Sequence, residues 1–139
     1  MQKAAYCGLF CGACPTFIAN QSGNLEEFAK GGTFTAEELE CHGCRSGKVA
    51  KFCSQCSIRK CGQEKDHLNC LDCAEYPCQD YISFRDDPKY PYHLDAPAQM
   101  IDMKKEGLSD WLKKQEKKWT CPDCGGRVNW FHHCVNCEE

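Results

Sequence analysis

Cysteine supplies fifteen of the 139 residues, and ten of those fifteen stand in five C-x2-C pairs, not counting the one inside an N-terminal triplet. That spacing constrains the fold more than any other feature. A C-x2-C turn brings two sulfurs to one point, where intervening backbone N–H groups can donate to them and stabilise thiolate charge. The total is also odd, so disulfides within one chain cannot pair every cysteine. The rest of the composition shows what the cysteines must compensate for. Leu, Ile, Val and Phe together number 22 of 139, below the roughly 20% at which a chain usually buries enough apolar area to offset its ordering entropy. Val and Ile reach only seven, which argues against a large buried parallel sheet and hence against a barrel or dinucleotide-binding fold. The chain reads as a small irregular α+β metal-stabilised fold, with short helices and Cys knuckles, one long interrupted helix and a C-terminal zinc ribbon.

The ribbon carries the strongest motif. Trp119-Thr-Cys-Pro-Asp-Cys-Gly-Gly opens a C-x2-C-x9-C-x2-C arrangement of Cys121, Cys124, Cys134 and Cys137. Pro122 fixes one φ in the turn, and Gly125 and Gly126 permit the positive φ needed just after a knuckle. Residues 127–131 read as a short strand returning to the second knuckle. The spacing predicts a tetrahedral zinc held by four cysteines. His132 and His133 adjoin Cys134 and could substitute as ligands, but they read first as polar neighbours of the knuckle.

Eleven cysteines lie upstream. One grouping keeps ligands local, with Cys41, Cys44, Cys53 and Cys56 in one site and Cys61, Cys70, Cys73 and Cys78 in another. The alternative is a cross-brace that joins Cys41 and Cys44 to Cys70 and Cys73, and Cys53 and Cys56 to Cys61 and Cys78. Loop closure favours the local grouping by well under about 1 kcal/mol, so both stay open. His42 and His67 could each enter a site of three cysteines and one histidine, although a solvated or supporting role suits either better. The remaining three, Cys7, Cys11 and Cys14, have the C-x3-C-x2-C spacing that radical-SAM enzymes use to hold a [4Fe–4S] cluster. The match stops at spacing. A full barrel of that kind takes about 250 residues, and Ala13 stands where an aromatic residue commonly precedes the last cysteine. A structural zinc, an iron–sulfur cluster or reducible thiols remain as readings of the triplet. With no fourth cysteine left over, a histidine, carboxylate, water or substrate would complete any metal there.

Between the clusters, helices are readable. Thr35-Ala-Glu-Glu38 is a capping box that starts a turn delivering Cys41. Asn24 can cap Leu25–Ala29, and Gln79–Arg85 carries Tyr81, Ile82 and Phe84 on one side. Asp86-Asp-Pro-Lys-Tyr-Pro-Tyr92 is a proline-punctuated linker. Asp95 then caps a long amphipathic segment that has Pro97 in its first turn. That segment bears Met100, Ile101, Leu108, Trp111 and Leu112, breaks at Gly107 and is recapped by Ser109. The organisation is a Cys-rich metal-cluster domain over 1–85, a linker and helical segment over 86–118, and the ribbon over 119–139.

Charge limits the partners. The formal net charge is −3 with a sequence pI near 5.9, unlike a basic nucleic-acid binder. Lys113, Lys114, Lys117 and Lys118 cluster at a helix end, where they complement the dipole as well as they would meet phosphate. Nucleic acid is therefore disfavoured as a partner, and an unidentified protein is preferred. There is no run of eighteen apolar residues to cross a membrane. Residues 4–19 are fairly apolar and follow Lys3, but their cysteines, proline and lack of a cleavage site argue against a secretory leader. So many thiols suit a reducing cytoplasm, where clustered cysteines more often mean metal.

The chain also resembles a known family. Tyr6-Cys-Gly-Leu-Phe-Cys-Gly-Ala-Cys-Pro15, Cys41-His-Gly-Cys44, Cys53-Ser-Gln-Cys-Ser-Ile-Arg-Lys-Cys61 and Asn69-Cys-Leu-Asp-Cys-Ala-Glu-Tyr-Pro-Cys78 are similar, in that order, to the Cys-rich bacterial and archaeal domain of unknown function 3795. The helix leading into Cys-Pro-x-Cys-Gly-Gly is similar to its longer members. The resemblance implies zinc-finger-like metal binding at the cysteines and transfers no catalytic residue. About four zinc ions are the expectation, with an iron–sulfur cluster at Cys7, Cys11 and Cys14 as the alternative. No acid–base dyad, nucleophile–histidine arrangement or phosphate-binding glycine loop stands out, and enzymatic activity is not favoured. Thiol–disulfide catalysis would need an exposed low-pKa pair at a strand-to-helix junction, and none is evident.

Overall fold

Short segments of helical spacing, interrupted every few residues by a cysteine turn, give short helices. The computed structural model describes residues 3–134 and 137, so positions 135, 136, 138 and 139 of the ribbon segment lie outside the described residues. The helices are α1 (Pro15–Gln21), α2 (Leu25–Ala29), α3 (Ala36–Leu39), α4 (Lys51–Ser54), α5 (Ser57–Lys65), α6 (Gln79–Arg85), α7 (Ala96–Glu106) and α8 (Leu108–Lys118). Single 3-10 turns form at Cys11–Ala13, Cys70–Asp72 and Pro91–Asp95. The molecule is small and mostly helical. Its β-structure, among the described residues, consists of isolated antiparallel bridges that pair Ala4 with Phe10, Thr120 with Arg127 and Val128 with Cys134. Residues 127–131 thus contribute bridges rather than a continuous strand, as the scarcity of β-branched residues would favour.

The capping box at Thr35 is complete. Glu38 N–H donates to Thr35 Oγ1 at 3.2 Å, and Thr35 N–H donates to Glu38 Oε1 at 3.0 Å. Other caps differ from the sequence reading. Asn24 and Asp95 occupy cap positions, but neither side chain accepts a cap hydrogen bond. At Asp95 the chain is already winding, with φ −84° and ψ −14° at the end of the preceding 3-10 turn. The expected long helix is two eleven-residue helices, divided at Gly107 with φ +89°. Gly107 itself is the N-cap of α8, which leaves Ser109 inside the first turn.

Three apolar clusters hold these pieces together. Ala4, Phe10 and Ala13 of the N-terminal loop meet Met103, Trp111 and Trp119, with Leu68, Val128 and Trp130 at the margin. Tyr6 packs with Ile58, Tyr81 and Met100. Phe17 packs with Val49, Ala50 and Cys41. Every cluster includes a residue of the first seventeen, so the N-terminal loop runs through the centre of the protein. Its turn depends on Gly8, which has φ +102° and lies so close to α7 that a Cβ would stand 2.4 Å from the Ala96 carbonyl oxygen. At the same junction Asn69 is fully buried. Its Nδ2 donates to the Met100 carbonyl at 3.2 Å, and its Oδ1 accepts from Leu71 N–H at 2.9 Å, fixing the turn that carries Cys70.

Candidate metal centre

The C-terminal knuckles are built by local backbone bonding. Cys121 N–H donates to the Gly126 carbonyl at 2.8 Å, and Gly125 N–H donates back to the Cys121 carbonyl at 2.9 Å. Gly125 takes φ +75° to close this turn. Gly126 N–H then points at Cys124 Sγ, 3.4 Å away. The Thr120–Arg127 and Val128–Cys134 bridges bring the second knuckle opposite the first. As a result the sulfurs of Cys121, Cys124, Cys134 and Cys137 all lie within 4.8 Å of one another. Separations of 3.9 Å (Cys121–Cys137), 3.4 Å (Cys124–Cys134) and 3.5 Å (Cys124–Cys137) can be compared with two chemistries. A disulfide requires about 2.05 Å. A tetrahedron with Zn–S bonds of about 2.3 Å has S···S edges of about 3.8 Å, so the three separations suit a shared metal ion rather than disulfides.

Electrostatics agree. Hydrogen bonds with Cys124, then Cys134 and Cys121, push the Cys137 thiol up to about 12. Four thiols so close resist joint ionisation without a cation, and a metal ion bound there would supply that cation while releasing the protons. Neither neighbouring histidine joins the four sulfurs. His132 stacks on Trp119 with ring centres 5.4 Å apart, and His133 is tied into the Asn129 turn, its N–H donating to Asn129 Oδ1 at 3.2 Å.

Upstream, the knuckle turns recur. The second cysteine N–H donates to the first cysteine carbonyl in Cys11–Cys14 (2.9 Å), Cys53–Cys56 (3.0 Å) and Cys70–Cys73 (3.1 Å). Cys61, Cys70, Cys73 and Cys78 line one cleft of about 50 Å³, with His67 and Asn69 on its wall. Lys65 approaches Cys73 Sγ at 3.8 Å. Burial, followed by Cys78, Cys61 and Cys73, pushes the Cys70 thiol up to about 12.

The other seven cysteines intermingle. Cys14 and Cys53 pack against the cluster of Phe17, Cys41, Val49 and Ala50, while Cys7, Cys44 and Cys56 pack against the Tyr6 and Ile58 cluster together with Cys70 and Cys78 of the cleft. The neighbouring Cys11 thiol, with the Tyr6 backbone, Arg59 and Arg45, holds the Cys44 thiol below its usual range against the opposing effect of burial. Burial raises Cys14 to about 11 and holds Cys53 higher still, with Cys14 and Cys41 its leading charged neighbours. Among the described residues, the ribbon four are the group whose ligand atoms all lie within 4.8 Å. His42 lies outside these clusters, its Nε2 2.8 Å from Glu40.

Sequence reading passed over Arg45 and Arg59. Arg59 Nε donates to the Cys44 carbonyl at 3.0 Å, and Arg45 Nε donates to the Ala4 carbonyl at 2.7 Å with its guanidinium 4.2 Å over the Tyr6 ring. The available signal was position, one residue after Cys44 and three after Cys56. No disulfide joins any of the fifteen cysteines, all of which are among the described residues. No described helix is long and apolar enough to cross a membrane.

Comparison with known proteins agrees with this Cys-rich arrangement. The family described as "Protein of unknown function (DUF3795)" matches residues 3–83. No curated protein and no solved structure matches the chain. The chain belongs to the DUF3795 family.

Proposed function

We propose that this DUF3795 member is a zinc-organised module that acts by binding another protein. One observation carries the metal reading, the convergence of the Cys121, Cys124, Cys134 and Cys137 sulfurs within 4.8 Å of one another. Four thiolates suit zinc, which has no geometric preference of its own and takes sulfur readily. A site closed by four protein ligands is structural, since catalytic zinc keeps a position open. The upstream cysteines extend the same role. A structural zinc supplies about 10–16 kcal/mol toward folding, enough to offset an apolar core as small as this one. The partner reading is supported by large apolar side chains left at the surface, Leu94, Ile101 and Phe131, which are 62%, 54% and 47% exposed. Net negative charge favours a protein over nucleic acid, and the thiols favour a reducing, cytoplasmic setting.

The test is metal analysis of natively purified protein followed by chelation. About four zinc ions per chain are expected, and a strong chelator should abolish the far-UV helical signal. A chain that keeps its fold after complete metal removal would overturn the proposal. Brown protein containing iron and sulfide would favour an iron–sulfur cluster at Cys7, Cys11 and Cys14 instead.

A further inference from the structure

We infer that the aromatic cleft between the N-terminal loop, α7, α8 and the ribbon docks an acidic, proline-containing segment of a partner protein. The inference rests on the protein-binding reading above and deepens it by naming the site and the chemistry of the segment.

Size decides the kind of occupant. The cleft holds about 50 Å³, whereas pockets for cofactors and other small molecules run to about 300–1,000 Å³. One small ring or short side chain fills it. Two aromatic pairs line it, Tyr92 with Trp130 at 5.0 Å between ring centres and Trp119 with His132 at 5.4 Å. The aromatic surface continues over exposed Tyr90 and Phe131, whose ring centres lie 6.0 and 5.2 Å from that of Tyr92. Contiguous Tyr, Trp and Phe side chains are the composition of protein-binding patches, and aromatic-lined grooves accept extended proline-bearing segments.

Hydrogen bonding selects proline as the anchor. Trp130 Nε1–H donates to the Phe10 carbonyl at 2.9 Å, and Trp119 Nε1–H donates to Gln115 Oε1 at 3.1 Å. The two indoles therefore have ring surface rather than N–H groups to offer. Gln99 Oε1 accepts from Trp111 Nε1–H at 3.3 Å and from Gln115 Nε2–H at 3.1 Å. The amide side chains lining the cleft thus have their carbonyl oxygens engaged and retain N–H donors. A proline residue matches such a site, with an apolar ring, no N–H of its own and a carbonyl that accepts. Its chain is already extended, so docking orders it at little entropic cost.

Charge sets the residues beside the proline. Lys118 lines the cleft with its Nζ 5.2 Å from the Trp119 ring centre, so ammonium and aromatic face address the same occupant. Lys113 and Lys117 share this helix end, and none of the three lysines has an ion-pair partner among the described residues. Against them the lining carries one carboxylate, Asp95. The local balance is positive on a chain of net charge −3, which draws an acidic segment to this end of α8.

The test uses the zinc-loaded full-length chain and a fluorescein-labelled peptide of three Glu-Pro-Pro repeats, followed by anisotropy. The peptide should bind and quench the tryptophan emission of Trp119 and Trp130. Replacing its prolines with alanine should weaken binding about tenfold, and so should replacing its glutamates with lysine. Lys118→Glu, at an exposed position that spares the fold, should also weaken it about tenfold. Lys60→Glu makes the same charge change at an exposed position of α5 and should leave binding unaltered. Equal affinity for the proline and alanine peptides, equal losses in the two lysine variants, or no binding would each overturn the site. Zinc content and far-UV signal, measured on the same sample, keep a failed metal reading distinct from a failed site. Absence of binding by the zinc-loaded chain overturns this cleft alone, since Leu94 and Ile101 still present apolar surface to a protein. Preference for a single-stranded oligothymidylate over the peptide would overturn the protein-binding reading as well.

Discussion

Gly62 is a residue whose role is decided by competing magnitudes. It lies inside α5, where Gly→Ala ordinarily gains up to about 1 kcal/mol of helix propensity. A Cβ here would stand 2.3 Å from Cδ1 and 2.5 Å from Cγ of Tyr6, a ring already covered by Arg45. Overpacking costs about 1–3 kcal/mol, so Gly62→Ala is expected to lower the thermal midpoint. An unchanged or raised midpoint would show that the ring has room to shift. His93 makes a second residue-scale case. It is buried, stacks on Phe84 with ring centres 3.9 Å apart, and has Nδ1 2.7 Å from the Phe84 carbonyl oxygen. Burial lowers its pKa below the usual 6.5, and this outweighs the Phe84 hydrogen bond and Asp87, which act in the opposite direction. A depressed folded pKa means that the neutral ring's stabilisation is complete above about pH 6.5. It is lost as pH falls through the folded value. An NMR titration of the His93 ring in the folded chain should give a midpoint below 6.5, and a midpoint at or above it would mean that water reaches the ring. Neither role was legible in the sequence, because each depends on a side chain delivered by another element. The cysteine pairs were legible because a C-x2-C turn is local.

At the scale of elements, what could be read depended on how local the determinant was. The Thr35 capping box and the extent of α6 follow from side chains within one turn, and both are present as the sequence implies. The four C-terminal cysteines likewise fall within a short stretch, the first of whose turns bonds to itself. Ser109 failed as a cap because the positive φ of Gly107 starts α8 two residues earlier, a choice that residue preference alone does not settle. What couples α8 to its surroundings was not legible at all. Glu116 bonds Lys3 of the N-terminal loop at 2.6 Å and Arg127 of the ribbon at 2.5 Å. Arg127 also donates to the Glu116 and Trp119 carbonyls at 3.2 and 3.3 Å. The carboxylate therefore pins three segments together. It is 38% exposed, so solvent screens it and the pair of bridges is worth about 1 kcal/mol in total. Glu116→Gln should lower the denaturant midpoint accordingly at low salt, and the gap from the unmodified chain should narrow in about 1 M salt, where screening is nearly complete. A gap independent of salt would point to packing rather than charge.

At the scale of the molecule, the small apolar inventory and the many thiols are two halves of one design. Trp111 is the largest fully buried side chain in the cluster that joins the N-terminal loop, α7, α8 and Trp119. Its ring meets Phe10 edge-on with centres 6.3 Å apart, and its Nε1–H donates to Gln99 Oε1 at 3.3 Å. Truncating such a residue costs about 3–5 kcal/mol, a large share of the roughly 5–15 kcal/mol that stabilises an ordinary domain. If the metals contribute as proposed, each structural ion supplies about 10–16 kcal/mol, and the ranking is fixed by these magnitudes. Metal removal should be more damaging than Trp111→Ala, which should in turn be more damaging than Glu116→Gln. The expected outcome is that Trp111→Ala melts earlier yet still unfolds cooperatively with its zinc bound, while the unmodified chain shows no cooperative transition after chelation. Circular-dichroism melts of both proteins, with and without a strong chelator, read this directly. A chelated chain that melts cooperatively above zinc-bound Trp111→Ala would reverse the ranking and make the apolar clusters, rather than the thiolate sites, the principal source of the fold.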